Sequence, residues 1–150
     1  MGRVESQIEI GAPLERVFAF VANPKNYEKM FAGAEVKVEM VSKGPIGVGT
    51  SYRLSAVLGG RKVDVHLHEY VEFEENRRFV DCEVKGALKR EELIFVFDST
   101  DRGTKVTASI DYELPGSVLG MVLDRLMVRK EMERFLKGGV QKAKEILEET

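Results

Sequence analysis

After the breaker pair Pro115-Gly116, the chain carries one uninterrupted helical pattern from about Ser117 to Glu149. Met121, Val128, Met132, Phe135, Ala143 and Ile146 fall on one stripe, widened early by Leu119, Leu123 and Leu126. A helix of that length runs for about 50 Å, and its apolar side must be buried against something equally broad. No other segment is a long helix, so the partner has to be a sheet. Gly138 and Gly139 stand inside the pattern. Each costs about 1 kcal/mol relative to alanine in a helix interior, which implies a bend or a close contact there.

The sheet is legible upstream. A first strand is expected over Arg3–Ile10. A short helix then opens at Pro13 with Val17, Phe18, Phe20 and Val21 on its apolar side, and a second runs from Pro24 to Phe31. Six further strands follow up to Leu114. Gly59-Gly60 signals a two-residue hairpin, which sets Leu54 opposite Val65 and Tyr52 opposite Leu67. A connection over Glu74–Arg77 sets Val71 opposite Val80 and Leu67 opposite Val84. A turn at Asp101-Arg102-Gly103 pairs Phe97 with Val106, Phe95 with Ala108 and Leu93 with Ile110. Each register puts apolar against apolar on one face. The other face then reads Lys62, Asp64, His66, His68, Glu83, Lys105, Thr107 and Asp111, a solvent face. The expectation is a single α+β domain over residues 1–150, with a seven-stranded curved antiparallel sheet, two short helices and a long C-terminal helix across the concave side.

Composition narrows the function classes. A formal charge of −2, with Lys and Arg interleaved among Asp and Glu, argues against a nucleic-acid partner. No apolar run reaches the roughly 20 residues that span a bilayer, and Met1–Ser6 has no signal-peptide core. With a lone cysteine, these features point to a cytoplasmic protein without disulfides. Gly2 and Ser6 match a loose myristoylation pattern, but Val4, Ser6, Ile8 and Ile10 already alternate as a strand. Scarce Gln and Asn with abundant Glu, Lys and Arg is the composition of heat-adapted proteins.

The segments IEIGAPLERVFAFVANPKNY (8–27), GVGTSYRLSAVLGGR (47–61), YVEFEENRRF (70–79) and YELPGSVLGMVLDRLMVRKEMERFL (112–136) resemble the START-like (SRPBCC) superfamily, in its polyketide cyclase/dehydrase and lipid-transport branch. The likeness covers nearly the whole chain in order. It implies the helix-grip fold around an internal cavity and a small hydrophobic ligand such as a lipid, isoprenoid, quinone or polyketide. It supplies no shared catalytic motif. One departure is Glu75-Asn76, where relatives often carry proline at the turn.

Four constellations can be weighed on their chemistry. Gly60, His66, His68 and Glu72 copy half of the cupin metal signature, but the chain has no further histidine, and the hairpin register sets both on the wet face beside Arg53. No metal and no cofactor are therefore expected. The loop Gly44–Thr50 lacks the Lys-Ser/Thr of a phosphate-binding loop, and no helix follows it. Cys82 is expected on the inner face, away from a base, as a buried inert thiol. The fourth is a polar group on the inner face, formed by Glu69, Lys89, Glu91 and Tyr112, with Glu91 directly across from Tyr112. Ligand contacts are expected from these and from Tyr27, Met30, Met40, Tyr52, Leu54, Phe95, Ala108, Met121 and Met132. Three functions fit this pattern: a carrier or binder of a hydrophobic molecule; a cyclase or dehydratase with Glu69 or Glu91 as base and Tyr112 as acid; and an interaction module whose cavity is vestigial.

Overall fold

The computed structural model describes residues 2–58, 60–85, 90–114 and 122–149. Strand β1 (Gly2–Ile10) leads into helix α1 (Leu14–Val21). A 3₁₀ turn (Pro24–Asn26), helix α2 (Tyr27–Met30) and another 3₁₀ turn (Ala32–Ala34) follow. Strands β2 (Lys37–Met40), β3 (Ser51–Leu58), β4 (Arg61–Glu74), β5 (Arg78–Lys85), β6 (Arg90–Thr100) and β7 (Gly103–Glu113) then form a meander, and helix α3 (Val122–Glu148) closes the chain. The seven strands make one antiparallel sheet in the order β1-β7-β6-β5-β4-β3-β2.

Local chemistry accounts for the corners. Pro13 caps α1 with its carbonyl accepting from the amides of Arg16 and Val17. The Asn23 side chain accepts from the Lys25 amide at the next turn. The β6–β7 hairpin pairs Phe97 with Val106, Phe95 with Ala108, Leu93 with Ile110 and Glu91 with Tyr112, all as the residue pattern requires.

Strand β4 departs from that pattern. Next to the Gly60 turn the two-residue register holds, with Leu58 opposite Arg61 and Ala56 opposite Val63. Leu54 then pairs with His66, so three steps on β4 match two on β3. This bulge shifts the expected register by one residue and turns the following residues over. A second bulge sits at Val71, since Tyr70 pairs with Asp81 and Glu72 with Val80. The alternation reverts there, and Phe73 packs against the core opposite Phe79. A third at Val84 lets Leu67 pair with Lys85 and His68 with Glu83. The extra residues Val71 and Val84 are exposed. The β4–β5 turn is a three-residue one, Glu75–Arg77, with Asn76 in the left-handed region at φ 62°, a conformation Asn tolerates better than most side chains.

Helix α3 lies against β1, α2 and β7. Leu136, Val140, Ala143 and Leu147 are its buried line, with Val128, Met132 and Phe135 packed partly against the core. Leu126 is 52% exposed, so it is not core, and the Leu123 side chain lies outside the described residues. Met121 and Leu119 lie outside the described residues. The C-terminal end is pinned to the β1–α1 corner. Lys144 Nζ donates to the Glu9 carbonyl at 2.7 Å, Glu148 Oε2 accepts from the Gly11 amide at 2.7 Å, and Arg16 donates to the Leu147 carbonyl.

The two helical glycines have different reasons. A Cβ on Gly139 would sit 2.0 Å from a ring carbon of Phe31, which is 3% exposed and stacked on Phe135 with centroids 4.1 Å apart. A Cβ on Gly138 would meet nothing within 4 Å. Gly139→Ala should therefore lower the melting temperature, whereas Gly138→Ala should raise it through about 1 kcal/mol of helix propensity. Leu136→Ala should cost about 2–5 kcal/mol, and Leu126→Arg little. Chemical denaturation of the four variants checks the ranking.

Candidate functional site

The stretch of β4 between its first two bulges, His66–Tyr70, turns His66, His68 and Tyr70 into the sheet's concave side, while Glu69 is exposed. This corrects the expectation that both histidines and Glu83 face solvent and that Glu69 faces inward. The neighbouring strand contributes Phe79, Asp81 and Glu83 to the same side. Cys82 takes the opposite one between Glu69 and Glu92, a correction of its expected inner placement. Its thiol pKa is raised, chiefly by partial burial, which keeps it inert.

These inward groups form a hydrogen-bonded array. Tyr52 donates to Asp81 Oδ2, and His68 Nδ1 lies 3.2 Å from Asp81 Oδ1. Because an ionised carboxylate only accepts, His68 carries its proton on Nδ1, and its Nε2 is left buried without a hydrogen-bond partner. The Tyr52 ring stacks on the His68 ring at 5.2 Å, and His66 stacks beyond it at 6.1 Å. His66 Nδ1 stands 3.2 Å from Glu83 Oε1, at ion-pair distance but off the hydrogen-bond line, so both Glu83 oxygens are buried without a hydrogen-bond partner. On the other flank Tyr70 donates to the Ala22 carbonyl at 2.7 Å, so its oxygen accepts from Tyr27 at 3.0 Å.

The array forms the polar end of a small cavity of about 70 Å³ beneath α3. His66, His68, Glu91, Tyr27 and Tyr52 line that end. Leu54, Ala56, Leu93, Ile110, Met132 and the Phe31–Phe135 stack supply an apolar wall. The same two phenylalanines also line a larger open groove of about 580 Å³ between α3, the Ala32–Ala34 turn and the β3–β4 hairpin.

Burial and charge set the protonation states. Loss of solvent pushes the Glu91 carboxyl up to about 8, with His68 opposing the rise and Glu83 adding to it. For His68 burial works downward, but the Asp81 charge and hydrogen bond outweigh it and hold the imidazole up at about 9. Burial also acts against ionised Glu83, yet His66 and then Glu91 pull it below the ordinary carboxylate value. Tyr27, Tyr52 and Tyr70 are raised well above 10, first by burial.

Of the residues expected to meet a ligand, Tyr27, Tyr52, Leu54, Glu91 and Met132 line the cavity, and Met30 lines the groove outside it. Met40 is half-buried on β2. Phe95 and Ala108 have no exposed surface and belong to the packed core, and Tyr112, opposite Glu91, is buried over Gly2. Lys89 and Met121 lie outside the described residues. Sequence reasoning set His66, His68 and Glu83 on the solvent face and did not single out Tyr70 or Asp81 as functional groups. Two signals in the chain identify them: the Phe73–Phe79 aromatic pair as the hairpin's anchor, and the His/acid complementarity of β4 and β5.

The Glu91 and His68 shifts have the same sign for stability. A carboxyl whose folded pKa is raised loses stability as pH climbs from its ordinary 4.5 to about 8. A histidine whose pKa is raised contributes stability that is complete below 6.5 and lost as pH passes about 9. Melting temperature should therefore fall between pH 4.5 and 9, and Glu91→Gln should flatten the lower part of that fall. A melting temperature that rises across this window contradicts the assignment.

The comparisons agree with this architecture. The Thermus thermophilus protein TTHA0849 shares 27% identity at a TM-score of 0.84, over 99% of this chain and 98% of that one. The Zhui aromatase/cyclase from a Streptomyces species shares 17% at 0.79, over 98% and 93%. A START superfamily protein from Mycobacterium smegmatis shares 17% at 0.76, over 98% and 97%. No curated protein sequence matches the chain. Among the described residues no helix is long and apolar enough to cross a membrane. A family model described as polyketide cyclase/dehydrase and lipid transport matches residues 1–148, and the chain belongs to that family.

Proposed function

We propose that this protein binds a small hydrophobic molecule carrying a polar head, of the lipid, isoprenoid, quinone or polyketide kind. One observation carries the reading: a space beneath α3 with an apolar wall and one end of buried, ordered hydrogen-bonding groups. Family membership supports it. The cavity alone is too small for such a molecule, since small-ligand sites occupy about 300–1,000 Å³. Cavity and groove reach that range once the Phe31–Phe135 stack between them parts. The head then meets His66, His68 and Glu91, and the tail runs out beneath α3.

A second reading, a cyclase or dehydratase acting on that molecule, is favoured by the Tyr52–Asp81–His68 array. A proton-transferring imidazole oriented by a carboxylate and bordering an apolar cavity is what such chemistry needs. The roles differ from those read in the sequence: Glu69 points away, Tyr112 is buried against Gly2 of β1, and His68 and Glu91 are the groups in reach.

Binding is tested with an environment-sensitive dye and with fatty acids or short-chain quinones, expected at micromolar Kd, about −8 kcal/mol. Ala56→Phe, which fills the cavity wall, should weaken binding at least tenfold while the protein still melts cooperatively. Undiminished binding in that variant places the ligand elsewhere. If a β-hydroxyketone surrogate is dehydrated by the protein and not by His68→Gln, the second reading takes over. Binding without turnover leaves the first.

A further inference from the structure

We propose that His66, His68 and Glu83 form a binding site for a divalent first-row transition cation. Candidate ligand atoms of the three side chains all lie within 4.8 Å of one another, and all three residues are buried or nearly so. Two imidazoles and one carboxylate form a donor set suited to zinc or iron(II), and one that leaves coordination positions open.

Two independent features point to a cation. His68 Nε2 and both oxygens of Glu83 are buried without a hydrogen-bond partner, in side chains that are 5% and 1% exposed. Buried polar atoms are normally satisfied, and an ion is one way to satisfy several at once. The second feature is the support behind His68. Asp81 accepts the hydrogen bond from Nδ1 and is itself held by Tyr52, so the ring is oriented with Nε2 free to bind a cation that displaces the proton there. A carboxylate behind the histidine is the usual outer arrangement at metal sites. Strand β4 sets the two histidines at i and i+2 on one side, with rings nearly parallel at 10°.

A tetrahedral zinc ion with bonds of about 2.0–2.1 Å holds its ligand atoms roughly 3.3 Å apart. From 4.8 Å the three must draw in by at most about 1.5 Å, within reach of side-chain rotation. His66 and His68 line the cavity, and Glu91 stands beside them there. The open position therefore faces the space where a ligand head or Glu91 would complete the shell. The site deepens the ligand-binding reading without depending on it, because its donors are protein atoms.

The test uses chelator-treated, tag-free protein titrated with zinc, followed by calorimetry and native mass spectrometry. One zinc per chain is expected at micromolar Kd or tighter, with a melting temperature raised by about 5 °C at saturating metal. His66→Ala should abolish stoichiometric binding, and Asp81→Asn should weaken it about 10- to 100-fold. Should either variant fail to fold, cobalt(II) added to the wild type decides the matter: intense visible bands of a low-coordinate nitrogen/oxygen site support the proposal, and the weak spectrum of the hydrated ion overturns it. Absence of one-to-one binding, or zinc binding that survives in a folded His66→Ala, His68→Ala variant, also overturns it. Ala56→Phe separates the two readings, since it should lose the dye and keep the zinc. Zinc binding without any apolar ligand leaves the metal site standing and removes the ligand reading, and the opposite result does the reverse.

Discussion

The chemistry of this protein depends on a parity change in one strand. A β-strand shows alternate residues to opposite faces, so a single extra residue exchanges the two sets. In β4 one bulge before His66 and another at Val71 confine the exchange to five residues. Outside that stretch the strand obeys the hydrophobic pattern, with Phe73 packed on the core. Inside it, His66, His68 and Tyr70 take the concave side in place of Leu67 and Glu69. Bulges next to sites of chemistry commonly re-aim side chains in this way.

Turning polar groups inward is costly unless they find partners. The adjacent strand supplies them, because the Phe73–Phe79 pairing sets Asp81 and Glu83 on the same side. Asp81 satisfies Tyr52 and His68 together. Glu83 is left with buried oxygens that make no hydrogen bond, beside Glu91, whose carboxyl is pushed up by burial and by the Glu83 charge. The network is therefore complete on the Asp81 side and open on the Glu83 side. That asymmetry is what a binding site requires, since a fully satisfied network has nothing to offer a guest.

The apolar part is organised by aromatic contact. Phe31 leaves α2 and stacks on Phe135 of α3, and Gly139 lets the helix backbone approach that ring. The pair closes the small cavity against the larger groove, while Lys144, Glu148 and Arg16 hold the far end of the helix to the β1–α1 corner. The helix is thus anchored at one end, and near its middle it covers the cavity through Met132 and Phe135.

The order of elements, the single sheet, the β6–β7 register and the covering helix were all legible in the residues. Each rests on local periodicity or on a turn whose length fixes its own pairing. Leu93, Phe95 and Phe97 meet Ile110, Ala108 and Val106 as their alternation demands. Glu91 was recognisable as an inner carboxylate by the same logic. The histidines were not, because a bulge leaves no mark in the two-residue period on either side of it, and carrying the hairpin register past Ala56 inverts His66–Tyr70. Leu126 was misplaced for a related reason: helical spacing identifies an apolar stripe but does not say how far the facing surface extends. Sequence by itself determined which consecutive strands pair and which helix covers them, since those follow from neighbours along the chain. The β1–β7 pairing joins the first and last strands and came from the tertiary structure. Only the tertiary structure decided which face of β4 is inside, because that depends on partners brought by β3 and β5, where burial of aromatic rings and pairing of charge are settled together.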